Sequence, residues 1–150
     1  MSLNKKITDD LKYAMKARDE VRLSSLRMLI SSLKNLQVEK GSELDDSEVQ
    51  SVISSMIRKG KEAAKEFKKG DRTDLADKED AEVRIFYEYL PEQLQPDEIE
   101  RILKETITKL SADSPSDLGK VMKAAMSQMA GKAQGKEVNV IARKLLSTPA

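Results

Sequence analysis

No cysteine and no histidine occur in the 150 residues. Their absence excludes disulfides, thiol nucleophiles, Cys or His metal sites and a histidine general base. Tryptophan is missing too, and aromatic residues make up only 3 % of the chain. The core must therefore be aliphatic, with methionine filling gaps. Glycine and proline are scarce, at six and four residues, and neither a Gly-rich phosphate loop nor a dinucleotide fingerprint is present. No apolar run approaches membrane-spanning length, and no signal-peptide core follows the start. These absences set the expectation of a soluble, cytoplasmic protein with no membrane partner.

What remains is rich in Ala, Glu, Lys, Leu and Met, the strong helix formers, and 35 % of it is charged. The expected fold class is all-α. The net charge of +1 conceals an uneven distribution. Residues 1–40 hold nine Lys and Arg against five Asp and Glu, and residues 41–70 hold six of each. Residues 71–100 hold three against eleven, and residues 101–150 nine against four. Two readings follow: basic ends that pack near an acidic helix, or a basic face free to meet phosphates.

Periodicity near 3.6 residues places seven helices. The first runs from Leu3 to Ala17, with Ile7, Leu11, Ala14 and Met15 on one side. The second starts near Asp19 with Leu23, Leu26, Ile30 and Leu33 inward, and Gly41 ends that region. Asp45 and Glu48 form a capping box for the third, which reaches Lys69; Gly60 in its interior implies a close helix contact. Thr73 is expected to cap the fourth, which ends at Leu90 before Pro91. Pro96 opens the fifth, with Leu110 on its buried side. Ser116 caps the sixth, Gly131 stops it, and the seventh follows Gly135. The tail, Thr148-Pro149-Ala150, is expected to fray. The turn at Pro91 to Pro96 separates an N-terminal four-helix domain, residues 1–92, from a small three-helix domain, residues 93–150.

Two stretches carry most of the information: Tyr89-Leu90-Pro91-Glu92-Gln93-Leu94, and Gly119-Lys120-Val121-Met122 followed by Gly131-Lys132-Ala133-Gln134-Gly135-Lys136. Together with Leu26-Arg27-Met28-Leu29, the Gly70-Asp71-Arg72-x-Asp74-Leu75 stretch, and Glu79 and Glu82, they resemble the GatB/YqeY family over nearly the whole chain. The chain looks like a stand-alone YqeY-type protein, similar to the C-terminal tail of the B subunit of glutamine-dependent Asp/Glu-tRNA amidotransferase. The resemblance implies an all-α fold, a tail that helps hold tRNA, and association with carbon–nitrogen ligase chemistry using glutamine as amido-N-donor. The family turn usually reads Gly-x-Ala-Asp-Gly-Lys, and Gln134 replaces its acid here.

On a helical wheel Lys120, Lys123 and Ser127 fall opposite Val121, Met122, Ala125 and Met129. Lys136 and Arg143 fall opposite Val138, Ile141 and Leu145. Lys120, Lys123, Lys132, Lys136, Arg143 and Lys144 are the candidate RNA-phosphate contacts, aided by the N–H groups that open the last helix; an ordinary solvated face is the alternative. Arg27 is a candidate for pairing with Glu79 or Glu82. The acids from Asp71 to Glu82 spread around their helix without metal-site spacing. No metal, no cofactor and no catalytic residue is expected, and the steps of amidotransfer have no motif here. The expected function is an accessory module that contacts tRNA or other RNA, partnered by an amidotransferase or another translation-related protein. A pure protein-interaction module is the alternative, and a catalyst built from carboxylates and lysine a third possibility.

Overall fold

The computed structural model describes residues 2–147; the expectation for the Thr148-Pro149-Ala150 tail lies outside them. Among the described residues there are seven α-helices, one short 3-10 turn and no strand. In chain order they are α1 (Leu3–Ala17), α2 (Glu20–Lys40), α3 (Asp46–Lys69), α4 (Thr73–Tyr87), α5 (Pro96–Leu110), α6 (Leu118–Gln128) and α7 (Gly135–Ser147), with the 3-10 turn at Pro115–Asp117 before α6. The chain divides into two compact units, residues 1–91 and 92–150. No helix among the described residues is long and apolar enough to cross a membrane.

In the first unit α3 and α4 form the most extensive helix pair, and α1 packs chiefly on α2. Ile7, Leu26, Leu29, Ile53, Ile57 and Phe86 make the centre of the core, each contributing about 1.5–3 kcal/mol by leaving water. Local chemistry sets the helix ends. Asp19 caps α2 by accepting from the Arg22 N–H, at 3.1 Å. Asp45 accepts from the Glu48 N–H at 2.8 Å while Glu48 accepts from the Asp45 N–H at 3.1 Å, which satisfies two donors that the start of α3 would otherwise orphan. Gly41 ends α2 at φ +79°. A Cβ at Gly60 would lie 2.6 Å from Cγ2 of Val83, so glycine allows α3 and α4 to close.

Several expectations need correction. Arg72 is the residue before α4 and Thr73 its first helical residue, with no side-chain cap. Helix α4 stops at Tyr87, and residues 88–90 form turns held by N–H bonds to Ile85, Phe86 and Tyr87. Ahead of Pro91 the last turn tightens to bonds three residues back, and Tyr89 and Leu90 are both buried in the core. Met15 and Leu110, expected inside, are exposed. Arg27 is exposed and makes no ion pair among the described residues; the long-range partnership belongs to Arg22, whose guanidinium holds both carboxylate oxygens of Glu88 at 2.6 and 3.2 Å.

The second unit has its own core of Ile99, Leu103, Val121, Met129, Val138 and Leu146. Its helices α5, α6 and α7 all touch one another. Pro96 is at the start of α5 as expected, with Glu98 reaching back to the Gln95 N–H at 3.5 Å. Ser116 does not cap α6, because it lies inside the 3-10 turn and its hydroxyl meets that of Ser114 at 2.6 Å. Gly131 does not end α6 either: the helix stops at Gln128, and Gly131 shapes the following turn at φ +74°.

Candidate nucleic-acid interface

The turn between α6 and α7 is held by the segment just after Pro91. The side-chain amide of Gln93 donates to the Gly131 carbonyl at 2.8 Å, and the Leu94 N–H donates to the Lys132 carbonyl at 2.8 Å. A third bond, Lys132 N–H to Met129 carbonyl at 2.8 Å, closes the turn on the end of α6. Ala133 is buried in the core of the unit. Three hydrogen bonds and one buried methyl thus fix the backbone on both sides of Lys132, whose side chain is exposed. The two sequence stretches that seemed separate are one piece of architecture: Gln93-Leu94 clamps Gly131-Lys132.

Gln134 comes next. It precedes α7 and its carbonyl accepts from the Val138 N–H at 3.1 Å, so it occupies the capping position. It is 8 % exposed, and its amide nitrogen is buried with no partner. The N–H groups of Gly135 and Lys136, in the first turn, have no acceptor within the helix, and the helix dipole puts positive potential there. A Cβ on Gly135 would meet nothing within 4 Å, so the backbone at this end is open to approach.

All six candidate cations are exposed. Lys132 and Lys136 flank the turn at the start of α7, Lys120 and Lys123 lie one turn apart on α6, and Arg143 and Lys144 follow Lys136 by two turns of α7. Lys120 pairs with Asp117 at 3.2 Å. Asp117 also accepts from the Asp113 and Ser114 N–H groups at 3.0 and 3.4 Å; the Asp113 bond first, then Lys120, holds its carboxyl below the ordinary range. Lys123, Lys132, Lys136 and Arg143 form no ion pair among the described residues. Val140 is exposed between Lys136 and Arg143 on the outer side of α7.

The other polar cluster ties α1 to the end of α4. The Tyr89 hydroxyl donates to Asp10 at 2.6 Å, and Lys6 donates to the same oxygen at 3.0 Å. The Lys6 ammonium also lies 5.2 Å from the centre of the Tyr89 ring. Burial and then the Asp10 carboxylate push the Tyr89 phenol above its ordinary value, so it stays protonated and is no general base at neutral pH. Burial opposes ionisation of Asp10, yet the Tyr89 and Lys6 bonds bring its carboxyl below the usual value. Sequence reasoning missed this cluster because its partners are 79 residues apart; the adjacency of Tyr89 to the chain-stopping Pro91 was the only signal. Two acids of α4 are paired, Asp74 with Arg72 at 3.2 Å and Asp80 with Lys68 of α3 at 3.6 Å. Among the described residues no three acids converge as metal ligands would.

The chain is similar to proteins named "Altered inheritance of mitochondria protein 41, mitochondrial". The Lachancea thermotolerans protein is 33 % identical over 110 residues, covering 71 % of this chain and 59 % of the relative. The Kluyveromyces lactis protein is 32 % identical over 114 residues, covering 73 % and 61 %. A Saccharomyces cerevisiae protein is 34 % identical over 82 residues, covering 54 % and 44 %. The chain thus spans about six-tenths of the length of the first two relatives. Their names overturn the expectation of a cytoplasmic protein, since these relatives are mitochondrial. The expectation failed because a helical chain without cysteine or a membrane-spanning run has the same composition in either compartment. The family model described as Yqey-like protein matches residues 4–146, and the chain belongs to that family.

Proposed function

We propose that this protein is an accessory RNA-contacting module whose second unit holds the phosphate backbone of tRNA. The observation that carries this reading is the clamped turn. Gln93 and Leu94 fix the backbone around Lys132, and Lys132 and Lys136 stand exposed and unpaired beside the open N-terminus of α7. A rigid turn lowers the entropy lost when its cations meet a phosphate, and helix N–H groups add anion affinity. Lys120, Lys123, Arg143 and Lys144 extend the basic surface along α6 and α7. In this reading the four helices of the first unit and the three of the second are separate domains, and the second resembles the tail of a tRNA amidotransferase subunit. Carbon–nitrogen ligase chemistry then belongs to a partner enzyme, because the chain carries no motif for glutamine hydrolysis or acyl activation. The mitochondrial relatives suggest the mitochondrion as the place where the module acts.

The test compares tRNA binding by the wild type, by the Lys132→Glu/Lys136→Glu pair, and by a Lys59→Glu/Lys65→Glu control on α3. The proposal expects affinity lost in the first pair and retained in the control. Equal effects from both pairs would reduce the interaction to net charge. No binding by the wild type would leave a protein-interaction module as the better account.

A further inference from the structure

A cleft of about 520 Å³ lies between the C-terminal half of α5 and the end of α6. Lys104, Glu105, Thr106, Thr108, Lys109 and Gln128 line it. Every one of these side chains can form a hydrogen bond, and none is aliphatic or aromatic. The volume is that of a small-ligand site, but the apolar walls usual in such sites are missing. There is no apolar pocket for the anchor of a protein partner, and with one carboxylate the cleft lacks the oxygen ligands of a metal site. A sugar–phosphate unit, with hydroxyls and a charge but little apolar surface, matches this lining.

Neighbouring bonds decide what the cleft can offer. Thr106 is 2 % exposed, and its one hydroxyl proton goes to the Ile102 carbonyl at 2.8 Å. Toward Gln128 that hydroxyl can only accept, so the Gln128 amide nitrogen is the end turned inward, at 3.4 Å. The other end of the amide, Oε1, makes no bond among the described residues and belongs to an exposed residue. It is a free acceptor of fixed orientation. Charge in the cleft is nearly cancelled. Lys104 pairs with Glu100 at 3.3 Å and Glu105 with Arg101 at 3.1 Å. That leaves Lys109, exposed and without an ion pair among the described residues. One uncompensated cation and one oriented acceptor complement one ribonucleotide, which carries one phosphate charge and one 2′-hydroxyl donor. Gln128 ends the helix that carries Lys120 and Lys123, so the cleft extends the candidate surface from α6 onto α5. We propose that it holds one ribonucleotide of the RNA on α6 and α7, with Gln128 accepting from the 2′-hydroxyl and Lys109 meeting the phosphate. The 2′-hydroxyl is the group that separates RNA from DNA, so Gln128 sets that choice. The proposal rests on the RNA reading and adds the specificity of the surface to it.

The probes are tRNA, DNA of the same sequence and adenosine 5′-monophosphate, each titrated against the full chain at low salt. The wild type is expected to bind tRNA about fivefold or more tighter than the DNA, the worth of one hydrogen bond. Gln128→Leu keeps the bulk and removes the acceptor, so it should erase the preference by weakening tRNA alone. Lys109→Gln should weaken tRNA and DNA together and make the salt slope shallower by about one. Both residues are exposed, and circular dichroism should show both variants folded. Equal affinity of the wild type for tRNA and DNA, or a preference that survives Gln128→Leu, overturns the proposal and leaves the RNA reading standing. Monophosphate binding that Lys109→Gln abolishes, with tRNA affinity unchanged in both variants, also overturns it and assigns the cleft to a free nucleotide. No tRNA binding by the wild type removes the RNA reading and this proposal with it.

Discussion

The carboxyl of Glu82 is 5 % exposed on α4, and burial first, then the charge of Glu79, raises it above its ordinary value of 4.5. For an acid whose folded value is raised, the stability it contributes is fully present below the unfolded value and is lost as pH rises through the folded one. Glu82→Gln should therefore raise the unfolding free energy at pH 7 and leave it nearly unchanged at pH 4. Urea unfolding at both pH values checks this, and an equal gain at each would contradict it. Gly60 makes the opposite kind of claim, because a Cβ there would collide with Val83. Overpacking costs about 1–3 kcal/mol, against about 1 kcal/mol gained from alanine's helix propensity, so Gly60→Ala should destabilise by about 1 kcal/mol. Adding Val83→Ala should recover the collision term, and a double-mutant cycle with no coupling would show that the close approach is not what fixes this glycine. Gly60 was legible in the sequence because it interrupts an apolar stripe. Glu82 was not, because one acid among six between Asp71 and Glu82 gives no sign of which faces inward.

Helix boundaries were readable wherever the signal was local. Asp45 with Glu48, Asp19, Pro96 and Gly41 all act within three or four residues of where they stand. They were unreadable where a neighbouring element intervened, as the 3-10 turn does at Ser116. The ends of α1 and α5 also carry no glycine; Arg18 and Ser111 adopt left-handed backbone at φ 57° and 52° instead. Gln134 is the opposite case, a cap position filled by a residue too long to cap well, with its amide nitrogen buried and unpartnered. Asp is the residue the family turn usually shows there. Gln134→Asp should stabilise the chain by about 1 kcal/mol, from a capped first turn and one fewer unsatisfied donor. Thermal unfolding reads the change, and a lower Tm would mean that the glutamine amide has a packing role that outweighs the cap.

At the scale of the whole chain, the stretch from Tyr89 to Leu94 serves both compact units. Tyr89 and Leu90 complete the core of the first, while Gln93 and Leu94 brace the α6–α7 turn of the second. The stretch stood out in the sequence, but its two jobs did not, since each depends on partners that only the fold supplies. Gln93→Ala removes one of these braces and should cost about 1 kcal/mol, seen as a lower midpoint in urea for the second unit. The exposure of Lys120, Lys123, Lys136 and Arg143 followed from the helical wheel; that Lys120 is neutralised by Asp117 while Lys132 and Lys136 are unpaired did not. The account stands or falls on whether this basic surface meets RNA, and the most direct measurement is tRNA affinity as a function of salt. With up to six cations engaged, log K should fall against log salt with a slope of about −4 to −5, made shallower by about two in Lys132→Glu/Lys136→Glu. A flat dependence, or no binding even at low salt, would contradict it.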